Sequence, residues 1–334
     1  MNIREIAQRA RVSHSTVSRV INQVESVDPK LARRVQAVIQ EVGYRPNFQA
    51  RALARGRNHT VGLIVSELTG GNPFFSEIIL YFERAAVEHG YEVLISFADT
   101  ETRPDHVAVC AARMQERQVE GIAALTFGME EQLANAAIDL PVVYAGADHD
   151  LSGVRNVRIN YLPGFKDAIK HLVDFGHQRI GYLSGRLSWS SMRTRFESLR
   201  KAMKLAGATF DKELVAECDH TWEGGVQGMG SLLSLPKRPT AVLCCNDVAA
   251  VGAMKTLAAR GLQVGKDLAL IGLDDLTICE FTQPPLTTIQ FSRRELAELA
   301  FRALIEEIQH TAKKTNLEYK TRFVLRESTC APRA

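Results

Sequence analysis

Seven short apolar runs recur between residues 61 and 273 of this 334-residue chain, and they constrain its fold more than any other feature. They read VGLIVS (61–66), YEVLIS (91–96), GIAALT (121–126), PVVYAG (141–146), RIGYLSG (179–185), AVLCCN (241–246) and LALIGL (268–273). Each has the length of a strand, and the stretches between them have helical periodicity. In the segment 74–89, for example, Phe75, Ile78, Ile79, Phe82 and Ala86 fall on one face. A strand without a polar face belongs inside a sheet covered on both sides, and strand–helix alternation builds doubly wound parallel sheets. The expected class is α/β, with ligands at the carboxyl ends of the strands.

Residues 1–57 differ in character. They hold eleven Lys/Arg and four Asp/Glu, whereas residues 58–334 hold thirty and thirty-four, so a head of charge +7 precedes a body of charge −4. A basic head suits a polyanionic partner. Ile3, Ile6, Ala7 and Ala10 predict a first helix. Ser13 is a natural N-cap for a second helix, which buries Val17, Val20 and Ile21 and shows His14, Ser15, Ser18 and Arg19 on its other side. Asp28-Pro29 opens a third helix carrying Leu31, Val35, Val38, Ile39 and Val42, closed by Gly43. Three short helices with a tight turn between the first two make a helix-turn-helix unit. Its second helix fits the major groove, where Ser15 and Thr16 exchange hydrogen bonds with base edges and Arg19 reaches guanine. A small helical bundle with a polar face is the alternative on spacing alone.

Other classes find no support. No apolar stretch approaches the roughly 18 residues of a membrane span, and no export signal precedes the head. Six cysteines lie without CxxC or His/Cys ligand spacing, which predicts reduced core thiols in a cytoplasmic protein and no metal site. No phosphate-binding glycine loop, nucleophile elbow or triad spacing is present, so no cofactor and no catalysis are expected.

The segments IREIAQRARVSHSTVSRVINQ (3–23) and VQAVIQEVGYRPNFQARALARGR (35–57) resemble the head of the LacI/GalR family of bacterial transcription regulators. The body resembles the same family through NPFF (72–75), HLVDFGHQRIGYLSG (171–185), PTAVLCCNDVAAVGAMKTLAARGL (239–262), DLALIGLDD (267–275), PPLTTI (284–289) and VLREST (324–329). The resemblance implies a DNA-binding domain over 1–46, a hinge helix and linker over 47–57, and a two-lobed effector and dimerisation body over 58–334. Lobe one would take residues 58–160 and 290–325 and lobe two 161–289, joined by three crossovers.

By that resemblance the DNA contacts are Ser13, His14, Ser15, Thr16, Ser18, Arg19 and Asn22 in the head. In the hinge they are Asn47, Ala50, Arg51, Leu53 and Arg55, with Leu53 as a minor-groove wedge. Arg11 stands where the family usually has glycine. The effector set is Phe74, Asn160, Ser191, Arg195, Trp222, Asn246 and Asp274. Gly146 replaces a residue often polar in the family, and the loop Leu68–Asn72, with a Gly-Gly pair, is longer than usual. The function implied is a homodimeric repressor binding a near-palindromic operator and controlled by a small-molecule effector, a carbohydrate. Purine-type or phosphorylated effectors stay open, the latter through Ser190, Ser191, Arg193 and Arg195. A sugar-binding protein whose head does not act on DNA, or an enzyme on the same body, are the alternative functions.

Overall fold

The computed structural model describes residues 3–21, 27–44, 58–66, 73–99, 103, 105–126, 132–133, 136, 138–146, 151, 154–311 and 317–332. It divides into two compact units, residues 1–58 and 59–334.

The head unit contains α1 (Ile3–Arg9), α2 (His14–Ile21) and α3 (Pro29–Glu41). Ile6, Ala7, Ala10, Val17, Val20 and Val35 form its core. α3 starts as its sequence dictates: the Asp28 carboxylate accepts from the backbone N–H of Lys30 and Leu31, at 2.8 and 3.2 Å, ahead of Pro29. α1 and α3 end alike. Beyond α3, Gly43 has φ +57°, and Tyr44 N–H returns to Ile39 C=O while Gly43 N–H returns to Gln40 C=O. Beyond α1, Arg11 has φ +49°, and Val12 N–H returns to Ala7 C=O while Arg11 N–H returns to Gln8 C=O. Both are Schellman motifs, whose left-handed residue is ordinarily glycine. Arg11 therefore occupies strained backbone, and its carbonyl is held at 3.0 Å by the guanidinium of Arg34 from α3.

The body contains two six-stranded sheets. In chain order its elements are β1 (Thr60–Ser66), α4 (Phe74–Glu88), β2 (Glu92–Ala98), α5 (His106–Glu116), β3 (Ile122–Leu125), β4 (Val142–Ala145) and β5 (Arg155–Asn160). Then follow α6 (Leu162–Asp174), β6 (Ile180–Ser184), α7 (Ser190–Leu205), β7 (Val215–Glu217), α8 (Trp222–Leu233), β8 (Ala241–Cys244), α9 (Asp247–Ala259) and β9 (Ala269–Asp274). The last are α10 (Ile278–Phe281), β10 (Thr287–Gln290), α11 (Arg293–Ile308), β11 (Leu317–Lys320) and β12 (Arg322–Val324). The first sheet runs β11-β5-β4-β3-β1-β2, all parallel; the second runs β12-β10-β9-β8-β6-β7, parallel except at β12. The seven strands expected from apolar runs are the inner strands β1, β3, β4, β6, β8 and β9 together with the edge strand β2.

The chain passes between the sheets three times: after β5, after β10, and at Thr321 between β11 and β12. The last passage comes earlier than expected. Lobe one was expected to reach residue 325, but β12 pairs with β10, and the residues after it stay with the second sheet. The Ser328 hydroxyl donates to Leu270 C=O at 2.6 Å and accepts from Thr287 N–H at 2.8 Å, while His177 bonds Cys330 C=O at 2.6 Å. Thr321 also ties two passages together, its hydroxyl donating to Tyr161 C=O at 3.1 Å and accepting from Gly164 N–H at 3.3 Å. Gly164 permits this: a Cβ there would lie 2.4 Å from Ile289 and 2.7 Å from the Thr321 hydroxyl. Five cysteines are buried and Cys330 is half-buried, all free thiols. Among the described residues no helix is long and apolar enough to cross a membrane.

Replacing Arg11 with glycine should relieve the left-handed strain and stabilise the head by about 1 kcal/mol. Amides of Val17 and Val35 should then exchange with solvent roughly fivefold more slowly if they open only with the whole head. Unchanged exchange would mean that the left-handed backbone costs Arg11 no more than glycine, since the carbonyl that Arg34 grips is present in both.

Candidate DNA-binding surface and effector pocket

In the head, His14, Ser15 and Arg19 are exposed, and Ser13, also exposed, caps α2 through its hydroxyl to Thr16 N–H at 3.1 Å. That hydroxyl also meets the Ser15 and Thr16 hydroxyls, each at 2.8 Å. The first turn of α2 thus begins with a knot of three hydroxyls. Thr16 and Ser18 are half-buried at the flank of the same face. Asn22, Asn47, Ala50, Arg51, Leu53 and Arg55 lie outside the described residues, as does the loop Leu68–Asn72.

In the body, the carboxyl ends of β6, β8 and β9 surround a buried polar centre. Arg195 reaches it from the second turn of α7, and Asp274 from the last position of β9; they are 3% and 2% exposed. Their nearest atoms, Nη2 and Oδ1, stand 3.9 Å apart without a hydrogen bond. Arg195 is otherwise fixed by Nη1–H to Cys245 C=O at 2.6 Å and by the Tyr161 ring, 5.0 Å below its guanidinium. The hydroxyls of Tyr182, Ser184 and Ser191, Arg195 Nε and Asp274 Oδ1 are all buried without a hydrogen-bond partner. Buried polar atoms normally find partners, so this concentration of unsatisfied donors and acceptors marks a place built for something polar.

Several of the expected residues meet here. Phe74, at the start of α4 in the first lobe, packs on Phe291 at 5.3 Å, and Phe291 stacks on Tyr161 at 6.4 Å. Phe74 therefore connects to the pocket through the aromatic side chains of two passages. Asn246 borders it but uses its amide for structure, accepting from Ala249 N–H at 2.7 Å as the cap of α9 and donating to His220 C=O at 3.2 Å. Asp247, next to it, is wholly buried and structural, receiving Leu276 N–H and the Thr288 hydroxyl at 2.8 and 2.6 Å. The paired carboxylates after β9 divide likewise: Asp274 faces the pocket, and Asp275 is bound to Arg326 and Gln290 at 2.8 and 2.9 Å.

Two expected residues are engaged in other surroundings. Trp222 lines a cleft of about 330 Å³ between α8 and α9 with Val226, Val251 and Lys255. Asn160 caps α6 at Leu162 N–H and donates to Glu318, opening on a groove along α7 with Arg200 and Lys204. The aromatic wall beside Arg195 is instead His220, 8% exposed and stacked on Trp189 at 5.3 Å with ring planes 10° apart. β7 is a three-residue strand with no apolar run. Had it been recognised, the rule that ligands gather beyond strand ends would have singled out Cys218–His220. Arg193, one helical step from Arg195, turns outward and donates to Leu187 and Ser188 C=O at 3.3 and 2.7 Å, bracing the loop that carries Trp189. Gly146 has φ +112°, a backbone state that a polar side chain would occupy only with strain.

The electrostatics follow from burial. Burial, reinforced by the charge of Arg195, pulls His220 down to about 3, so the ring is neutral. Burial pushes Asp274 up to about 7 against the pull of Arg195. Burial also works against the charge of Arg195, but Tyr161 and Asp274 together hold its pKa above the ordinary arginine range. At 3.9 Å without a hydrogen bond, the ion pair does not repay the desolvation of its carboxylate. A hydroxyl group seated against both would accept from Arg195 and donate to Asp274, satisfying the two at once.

A three-helix head and a two-sheet body with a buried polar pocket, in one chain, are the make-up of a bacterial transcription regulator. The family model for bacterial regulatory proteins of the lacI family matches residues 2–47, and that for a periplasmic binding protein-like domain matches residues 169–329. The chain is 33% identical to the HTH-type transcriptional repressor PurR of Mannheimia succiniciproducens, covering 98% of each, and 35% identical to the ribose operon repressor of Escherichia coli strain K12, covering 95% of this chain and 96% of that one. A structure of the lac repressor dimer bound to operator and an anti-inducer superposes with a TM-score of 0.91 at 28% identity, covering 99% of each chain. A complex of the transcriptional regulator CelR with cellobiose gives 0.73 at 28% identity, covering 98% of this chain and 99% of that one. The chain belongs to the LacI family of bacterial regulatory proteins.

The two pocket groups have opposite linkage to folding. Folded His220 stays neutral from about pH 6.5 to about 3 while the unfolded chain binds a proton, so acid destabilises. Folded Asp274 takes its proton at about 7 and the unfolded chain only near 3.9, so acid stabilises. Between about pH 6.5 and 3.9 the slopes oppose each other. Asp274→Asn removes one of them, and its stability should fall with acidification about 1.4 kcal/mol per pH unit more steeply than that of the unaltered chain. Urea unfolding across that window measures the difference; parallel slopes would mean that Asp274 is ionised in the folded protein.

Proposed function

We propose that this chain is a homodimeric cytoplasmic repressor that reads a near-palindromic operator through α2 and binds a neutral polyhydroxylated effector, a sugar, against Arg195 and Asp274. It works by binding, not by turnover. The observation that carries the effector class is the pairing of one buried guanidinium with one buried carboxylate amid unpartnered hydroxyls. A phosphorylated effector needs surplus positive charge. The second arginine that would supply it, Arg193, is bound to loop carbonyls and turned to solvent. Paired donors and acceptors with flanking rings are what sugar hydroxyls and their C–H faces require.

Ser191, Arg195 and Asp274 are assigned the direct contacts, with His220 and Trp189 as the ring-facing wall. Asn246 retains one donor hydrogen toward the same space, and Phe74 closes the first-lobe side. Asn160 and Trp222 are assigned no contact. On the DNA side, two heads on a two-fold axis read two half-sites, with His14, Ser15, Thr16 and Arg19 toward bases and Ser13, Ser18 and the head's cations toward phosphates. The relatives support this reading: the named ones are repressors, and the lac repressor is seen as a dimer on its operator. Effector and operator affinities are reciprocally coupled.

Two measurements test the proposal. Thermal melting against sugars, sugar phosphates, nucleobases and nucleosides should give a sugar hit, worth about 2.7 kcal/mol at 100 times its dissociation constant. The hit should vanish in Arg195→Ala; stabilisation by a nucleobase or sugar phosphate alone would overturn the effector class. On a duplex selected from a random pool, Arg19→Ala should cost about 1–3 kcal/mol of affinity and relax preference at one base pair per half-site. A uniform loss across sequences would make Arg19 a phosphate contact.

A further inference from the structure

Asp274 and Asp275 are consecutive non-glycine residues in left-handed backbone, at φ +118° and +56°. Each such residue is disfavoured and persists only where its surroundings enforce it. Arg293 holds the backbone of the pair, while the Asp275 carboxylate is tied separately to Arg326 and Gln290. Arg293, 9% exposed at the first position of α11, donates from Nη1 to the carbonyls of Asp274 and, at 3.2 Å, Phe291, and from Nη2 to the carbonyl of Asp275 at 2.9 Å. The left-handed turn is what aims these carbonyls at the guanidinium. Its remaining Nε–H reaches Glu77 of α4 at 2.9 Å, across to the first lobe. Four of the five guanidinium donors are committed, in a planar fork that lysine cannot reproduce.

The same two elements touch a second time. Phe74, one helical turn before Glu77, packs on Phe291, two residues before Arg293. The first turn of α4 is thus attached at two points to the passage that carries the chain back to the first lobe. One of those points is the residue that sets the backbone of Asp274.

We propose that Arg293 is a positioning residue that couples the effector site to the first lobe: it fixes the Asp274–Asp275 turn from behind and transmits any shift of that turn to α4 through Glu77. This rests on the reading of Asp274 as an effector contact. A ligand that draws on the Asp274 carboxylate pulls the peptide gripped by Arg293, and through Glu77 the lobes feel it. The Glu77 carboxylate is engaged by Arg293 and by none of the side chains assigned to effector contact, so the coupling and the binding are separable.

The test uses the full chain with Glu77→Gln, Arg293→Gln and both together. Glu77→Gln leaves the carbonyl contacts of Arg293 intact, so it is the variant that must fold. Operator affinity is measured with and without D-ribose, or with whichever panel sugar stabilises the unaltered chain if ribose does not. Glu77→Gln should keep the sugar dissociation constant within about twofold while the operator affinity ratio with and without sugar shrinks at least fivefold, and the double variant should add nothing to Arg293→Gln. An unchanged ratio in Glu77→Gln, or parallel losses of sugar binding and coupling, would overturn the proposal. Hydrogen exchange on the ligand-free chain decides it without any sugar: Glu77→Gln should speed exchange at Leu276 and in the first turn of α4 together. If no panel compound binds the unaltered chain, the effector reading fails, and exchange like that of the unaltered chain in Glu77→Gln would sink the clamp separately.

Discussion

A guanidinium and a carboxylate sealed under the ends of three strands, 3.9 Å apart and not bonded to each other, organise the body of this protein. Burying two charges costs several kcal/mol per ion unless the geometry between them is excellent, and here it is not. Everything around them is consistent with that tension. The carboxyl group of Asp274 is driven toward its neutral form, His220 is held neutral, and hydroxyls stand unpartnered nearby. A hydrophobic pair of the same volume would make a quieter core. The tension is what gives a polar ligand its advantage, because the ligand completes a network that the protein leaves open.

The same sheet ends show what a sequence can and cannot reveal. Inner strands such as β8 and β9 were legible because they are apolar on both faces. The strands Arg155–Asn160, Val215–Glu217, Thr287–Gln290, Leu317–Lys320 and Arg322–Val324 were not: they are short or half-polar, and most lie at or next to a sheet edge. The site followed suit. Arg195 and Asp274 were named from the family resemblance, which marks a position on α7 and one at the end of β9; the structure brings the two side chains within 3.9 Å of each other. His220 went unnamed because β7, the short strand just before it, carries no apolar run to point to its end. The role of Arg293 had no sequence signal at all, since its partners are the carbonyls of Asp274, Asp275 and Phe291 and the carboxylate of Glu77, drawn from three separate stretches of the chain.

Two departures from glycine illustrate one compensation. Arg11 and the Asp274–Asp275 pair hold backbone angles that side chains disfavour, and in both cases an arginine from a helix grips the carbonyl. Local strain is retained where a long-range donor is available to meet it. In the head this fixes the turn between α1 and α2. In the body it fixes the residue whose carboxylate faces Arg195 in the buried polar pocket.

The late strands carry a consequence for how this protein is made. β10 and β12 complete the second sheet, β11 and α11 the first, and all four lie after residue 286. A ribosome delivers roughly 5–20 residues per second, and until that final stretch emerges neither lobe has its full complement of strands. The two halves, although each is otherwise built from consecutive strand–helix units, mature as a pair. A nascent chain stalled before that point would expose the flank of β9 in one lobe and of β5 in the other, two unpaired edges of the kind that chaperones recognise and that aggregation exploits.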